Sequence, residues 1–163
     1  MQLPVPHWQQ QRQGECLVAC VAMVLAYVGQ QVQYERLLKQ LNTSTAGTFF
    51  FNLDRLRPFW FTVRRNQGNL SSLRQQLEKG HPIIVSVATE LLPYWLIRDD
   101  IPEAERITQH AVVVVGIDDQ YVYVNDPDFF EAPQRVEIGW FEDAWKNQAY
   151  WYALIRKRWS RLL

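Results

Sequence analysis

The sequence predicts an α+β fold, and three features of it carry that expectation. Helical periodicity dominates up to about residue 80, and short extended apolar runs dominate after it. The two kinds of signal are segregated along the chain, the pattern of an antiparallel sheet packed with helices and not of alternating βαβ units. One stretch, Cys16 to Val28, is apolar on every side, so it belongs at the centre of a fold. The expected organisation is a single domain over 1–163: a helical lobe over about 1–80, a sheet lobe over about 81–155, and a basic tail over 156–163. A chain of 163 residues buries enough surface to fold without a disulfide or a structural metal.

The elements follow in order. Leu3-Pro4-Val5-Pro6 is extended, because its two prolines lack amide donors and push the residues before them out of the helical region. Gly14 precedes the apolar stretch and Gly29 ends it, and Ala19, Ala22, Met23, Leu25 and Ala26 make the stretch helical. Tyr34, Leu37, Leu38 and Leu41 form an amphipathic helical stripe. Asn52–Arg57 reads as a short helix stopping before Pro58, and Trp60–Val63 as a short strand. Leu70, Leu73 and Leu77 mark a further helix, closed by Gly80 and Pro82. Ile83–Val87 is a buried strand. Thr89–Gln109 is irregular and long, carries Pro93, Tyr94, Trp95 and Pro102, and fits either a loop shaping a binding groove or a cover for a sheet edge. Ala111–Gly116 and Tyr121–Val124 form a hairpin around Ile117–Asp119. Two strands, Arg135–Ile138 and Tyr150–Ile155, flank a helix from about Trp140 to Asn147.

Composition narrows the functional classes. Lys plus Arg and Asp plus Glu are 17 each, a balance that argues against nucleic acid or an anionic membrane as principal partner. Two cysteines do not make a disulfide framework. The apolar stretch falls short of the roughly 20 residues that cross a bilayer. It also lacks a basic leader and a small-residue cleavage site, so a cytoplasmic location is expected. The basic run Arg156-Lys157-Arg158-Trp159-Ser160-Arg161 is expected to be a solvated tail.

Candidate chemistry centres on Cys16, at the start of the central helix. A helix N-terminus carries about half a positive charge and unpaired N–H groups, both favouring a thiolate. Position alone fits a buried structural cysteine better than a nucleophile. Cys20, one turn further in, reads as a small core residue, and a lone Cys-x-x-x-Cys pair is too few ligands for a metal. Among the histidines, His7 and His81 read as surface or packing residues, whereas His110 stands at the mouth of the predicted hairpin. A loop at Ile117–Asp119 sets Gly116 opposite Gln120 and therefore His110 opposite Asp126, on one face. The carboxylate would then hold Nδ1 and leave Nε2 for the cysteine. Asn125-Asp126-Pro127 also fits a simple turn opening. An oxyanion donor is also needed; Gln9, Gln10, Gln11 and Gln13 compete for that place, and spacing does not choose among them.

Taken together, these residues resemble the double-glycine leader peptidases, papain-like cysteine peptidase domains often fused to peptide-exporting ABC transporters. Gln10, Glu15, Cys16, Ala19 and Met23 stand in the places of that family's cysteine motif, with Gly29 matching a further glycine. His110, Val114 and Asp126-Pro127 match its histidine motif, and the resemblance spans about Pro4 to Ile155. The chain departs from the pattern at Leu17 and Val28. The resemblance implies a papain-like fold with Cys16 as nucleophile, His110 as general base and then acid, Asp126 as orienting carboxylate and Gln10 as oxyanion donor. It implies a peptide or protein substrate and no cofactor or metal. Two rival functions share the residues: a catalytically silent peptide-binding domain, and a Cys-dependent acyltransferase.

Overall fold

The computed structural model describes residues 1–31, 33–59, 61–100 and 109–157. Helices α1 (Cys16–Tyr27) and α2 (Tyr34–Gln40) are followed by a 3-10 helix (Phe50–Phe59), strand β1 (Phe61–Gln67) and helix α3 (Leu70–Glu78). Strand β2 (Ile83–Ala88) leads through a 3-10 turn (Thr89–Leu91) into the short helix α4 (Pro93–Leu96). The chain continues as β3 (Gln109–Ile117), β4 (Tyr121–Asn125), β5 (Gln134–Glu137), helix α5 (Ile138–Asn147) and β6 (Trp151–Lys157). The strands make a six-stranded sheet in the order β1-β6-β2-β3-β4-β5, with every recorded pairing antiparallel. The α+β expectation therefore holds.

Helix α1 lies on one face of this sheet, and its residues Leu17 through Leu25 are all buried. They pack with Tyr34, Leu37, Leu41, Leu53, Leu56, Val63, Ile84, Val113 and Val115. At about 1.5–3 kcal/mol for each fully buried aliphatic side chain, this layer fixes where the N-terminus of α1 sits. The opposite face packs Leu73 of α3, Phe141, Ala144 and Trp145 of α5, and Trp95 of α4 against Val85, Val87, Val112, Val114 and Val124. Alternation along β2 sorts its side chains between the two layers, Ile84 to one and Ile83, Val85 and Val87 to the other.

Several expectations are corrected. Strand β1 precedes residue 80 yet joins the sheet beside β6, so the sheet draws on both halves of the chain. The turn at Asn52–Arg57 is a 3-10 helix that continues past Pro58. Thr89–Gln109 is not wholly irregular: it contains the 3-10 turn and α4, and Gln109 opens β3, while 101–108 lie outside the described residues. The basic run is not all tail, because Arg156 and Lys157 complete β6 opposite Thr62 and Phe61. Residues 158–163, like Trp60, lie outside the described residues. The β3–β4 hairpin pairs Gly116 with Tyr123 and, across a bulge between Val114 and Gly116, Val113 with Asn125. It does not pair Gly116 with Gln120.

No helix among the described residues is long and apolar enough to cross a membrane.

Candidate active site

The chain enters α1 through a turn that only glycine permits. Gly14 has φ +85°, and a Cβ there would lie 2.8 Å from the Thr45 carbonyl oxygen and 3.0 Å from that of Ser44. The backbone thus closes against the Ser44–Gly47 bridge and delivers Cys16 to the first position of the helix. Glu15 is buried beside it. Its Oε1 accepts from the Arg12 amide (3.2 Å) and the Tyr34 hydroxyl (3.0 Å), and its Oε2 from Arg12 Nη1 (2.9 Å). Because Glu15 is committed to these donors, it makes no side-chain cap on the helix. The first-turn amides, Cys16 N–H among them, have no acceptor within the helix itself.

Residue 110 is brought to this point by the sheet. β3 pairs with β2 so that His110 lies opposite Val87, at the end of the sheet nearest Cys16. The Cys16 thiol and the His110 imidazole border the same clefts and interact electrostatically. His110 Nε2 lies 2.6 Å from Asp126 Oδ1, so it is Nδ1 that is left for the cysteine. This corrects the assignment of ring nitrogens expected from the sequence. The expected face holds: on the His110 side of the bulge the observed register differs from the expected one by two residues, and a shift of two preserves the face whereas a shift of one reverses it.

Asp126 is fully buried and all its acceptor capacity is used. Tyr94 Oη (2.7 Å) and Trp95 Nε1 (2.8 Å) donate to Oδ2, while His110 Nε2 and the Asp128 amide (2.9 Å) donate to Oδ1. The Trp95 ring also meets the imidazole edge-on, with centroids 5.0 Å apart and planes at 72°. Arg98 stacks over Trp95 and Phe129 and pairs with Asp128 and Asp100, tying the α4 segment to the chain after β4. Tyr94 and Trp95 were legible only as aromatics in a long connection. Their polar tips following Pro93, at the start of a turn of helix, were the available signal.

Electrostatics favour the charge-separated form of the cysteine–histidine pair. Burial pushes the Cys16 thiol up, but the His110 charge, the hydrogen bond to it and the Ala111 amide outweigh burial and leave it below its ordinary value. Burial opposes a charged His110, but the charges of Asp126 and Cys16 outweigh it and raise the imidazole well above its ordinary value. Burial likewise works against the Asp126 carboxylate, and the charge of His110 with the donors around it holds it below the usual carboxylate range. Cys20 has no such partner: burial, with the nearby Cys16 and Asp126, drives its thiol well above the ordinary value.

Gln10 arrives by a separate route. The N-terminal strap is tied along β3 and the chain after β4 by Leu3 N to Val115 O (2.8 Å), Asn125 Nδ2 to Val5 O (3.2 Å) and Gln10 N to Pro127 O (2.7 Å). Gln10 is half-buried and borders the cleft holding Cys16 and His110, while Gln9, Gln11 and Gln13 are exposed. One proton of its amide goes to the Arg12 carbonyl at 3.1 Å. Its amide oxygen Oε1 is buried and has no hydrogen-bond partner among the described residues. His7 and His81 are packing residues, bonded to Phe129 O (2.6 Å) and Gln76 Oε1 (3.0 Å), as expected. Among the described residues no three His, Cys, Asp or Glu side chains converge as a metal site.

Two clefts meet at the Cys16–His110 pair. One of about 270 Å³ is bordered by Gln10, Gly14, Trp95 and Asp128; the other, of about 170 Å³, by Leu17, Gly47, Phe50, Ser86 and Ala111. A nucleophilic sulfur, an imidazole able to move a proton, and amide donors beside an open groove suit attack on a carbonyl carbon.

Comparison with known proteins agrees with this architecture. A crystal structure from Bacillus anthracis assigned as a C39-like peptidase superposes with a TM-score of 0.76 at 20% identity, covering 96% of each chain. The peptidase domain of Streptococcus ComA, a bi-functional ABC transporter, gives 0.72 at 19% identity, covering 93% of this chain and 98% of that one. A double glycine motif protease from an AMS/PCAT transporter, in complex with the leader peptide, gives 0.66 at 20% identity, covering 96% and 94%. At such identities these establish the shared fold. The uncharacterized protein YvpB of Bacillus subtilis is 33% identical over 94 residues, 55% of this chain, and the match spans 37% of that longer protein. The profile of the Peptidase C39 like family matches residues 2–152, nearly the whole described chain, and on that match the protein belongs to this family.

Proposed function

We propose that the protein is a cysteine peptidase that hydrolyses a peptide bond with Cys16, His110, Asp126 and Gln10, acting as a single catalytic unit on a peptide or protein substrate. The observation that carries this reading is that Cys16 and His110 border the same clefts while Asp126, itself held by Tyr94, Trp95 and the Asp128 amide, is hydrogen-bonded to His110. The Cys16 thiolate attacks the substrate carbonyl, and a C–S bond forms as the C=O electron pair moves to oxygen. Gln10 Nε2 and the Cys16 amide hold that oxyanion. On collapse the C–N bond breaks, and His110 Nδ1 gives its proton to the departing amine. Water then enters, His110 takes a proton from it, hydroxide attacks the thioester, and the acid leaves as the thiolate and imidazolium are restored. Asp126 holds the ring by Nε2 throughout, so Nδ1 stays directed at sulfur.

The test is cleavage of a broad peptide library by the wild type and by Cys16→Ala, with product analysis in the presence and absence of added amines. Cleavage by the wild type alone, with free acid as product, supports hydrolysis. Amide products formed from the added amine identify an acyltransferase, and equal inactivity of both proteins identifies a binding domain.

A further inference from the structure

The layer between α1 and the sheet is filled by branched side chains along most of its length and by small ones at one end. Ile84 and Ser86 lie on the face of β2 toward α1, and Ser86 pairs with Ala111 of β3. Beside Cys16 the sheet therefore presents a hydroxymethyl and a methyl, where Ile84 and Val113 fill the layer further in. The space left open is the 170 Å³ cleft, walled by Leu17 and Phe50 with Gly47 at its rim. A hydrocarbon-lined cavity of about 150 Å³ admits a benzene ring, so this cleft has room for one whole side chain. Its lining includes one polar side chain from the sheet, Ser86, which is only 4% exposed and borders the cleft. A hydroxyl there prefers an occupant that can hydrogen-bond to one that merely displaces its water.

We propose that this cleft is a specificity pocket that takes one branched substrate side chain, threonine and valine among them, next to the scissile bond, with Ser86 favouring the hydroxyl-bearing one. The inference rests on the peptidase reading and refines its substrate class. Glycine in the pocket gains no burial. Valine gains burial but strips water from the Ser86 hydroxyl, whereas threonine gains the same burial and supplies a partner. Ala46, on the exposed turn beside Gly47, stands at the mouth, where a larger side chain closes the pocket without disturbing the core.

The experiment scans peptides varied at the two positions on either side of the scissile bond, reading cleavage by the wild-type protein and equilibrium binding to full-length Cys16→Ala. At one position, threonine and valine should each exceed glycine by about tenfold or more, and threonine should exceed valine by about fivefold. Ser86→Ala should erase the threonine-over-valine difference and keep the preference over glycine. Ala46→Leu should erase the preference over glycine. Binding in which glycine equals or exceeds both residues at every position overturns the pocket. Selective binding without cleavage by the wild type keeps the pocket and removes the peptidase reading, and cleavage with glycine preferred does the reverse.

Discussion

Replacing Gln10 by alanine removes one of the two donors assigned to the oxyanion and leaves the cysteine–histidine pair untouched. Among the described residues the only side-chain hydrogen bond lost is the exposed one to the Arg12 carbonyl, at 3.1 Å. Folding stability should therefore change by no more than about 0.5 kcal/mol. Catalysis should not be so tolerant. Loss of one preorganised oxyanion donor costs about 10²–10³ in kcat, or ~2.7–4 kcal/mol, because the donor acts where charge appears and water is excluded. Gln10→Glu keeps the shape, exchanges the amide donors for acceptors and sets a negative charge nearby, so its loss should be at least as large. Gln11 and Gln13 border the same cleft but are exposed, and their alanine variants should stay within about twofold of wild type. The assay is kcat and KM on a cleaved peptide, paired with the alkylation rate of Cys16, which needs no oxyanion hole. A kcat within about threefold of wild type in Gln10→Ala refutes the donor role. Alkylation falling in step with kcat refutes it too, since Gln10 would then be acting on the thiol.

Three further outcomes follow from the same geometry. His110→Ala removes the charge that lowers the Cys16 thiol and leaves burial, which raises it, so the pH midpoint of Cys16 alkylation should move upward past the ordinary thiol value. Gly14→Ala forces a Cβ at φ +85° to within 2.8 Å of the Thr45 carbonyl oxygen. It should cost about 1–3 kcal/mol in chemical denaturation and lower cleavage by displacing Cys16. Asp126 is held below its ordinary value of 3.8 in the folded protein, so its contribution to stability is complete above that pH and is lost as pH falls through the lower folded value. Denaturation midpoints measured from pH 6 down to 2 should therefore decline more steeply in the wild type than in Asp126→Asn; parallel declines contradict the assignment.

How far the sequence made this structure legible depends on the range of the interaction involved. Helix α1 was plain because its signal is local: apolar residues on all sides, with Gly14 before it and Gly29 after it. The partnership of β1 with β6 was not, because Phe61 and Lys157 meet through pairing across nearly the whole chain, and neither strand's composition names the other. The hairpin shows both cases at once. Alternation placed His110 and Asp126 on one face, whereas the bulge at Val114–Gly116 shifted the register in a way that no residue type announced. Cys16, His110, Asp126 and Gln10 are marked as a set by resemblance, and Gln10 is less exposed than Gln9, Gln11 and Gln13. Tyr94 and Trp95 read from the sequence only as aromatics of a loop that shapes a groove or covers a sheet edge, because their partner Asp126 lies more than 30 positions away in the chain.

The central claim is that Cys16 is a thiolate paired with the His110 imidazolium at a pH where an ordinary buried cysteine is neutral. Its most direct test is the alkylation rate of each cysteine followed from pH 4 to 10, with the two sites resolved by peptide mapping. The account predicts rapid labelling of Cys16 with a midpoint below the ordinary thiol value of 9.0, and negligible labelling of Cys20 in the folded protein. A Cys16 midpoint at or above 9.0, or equal slow labelling of both cysteines, contradicts it.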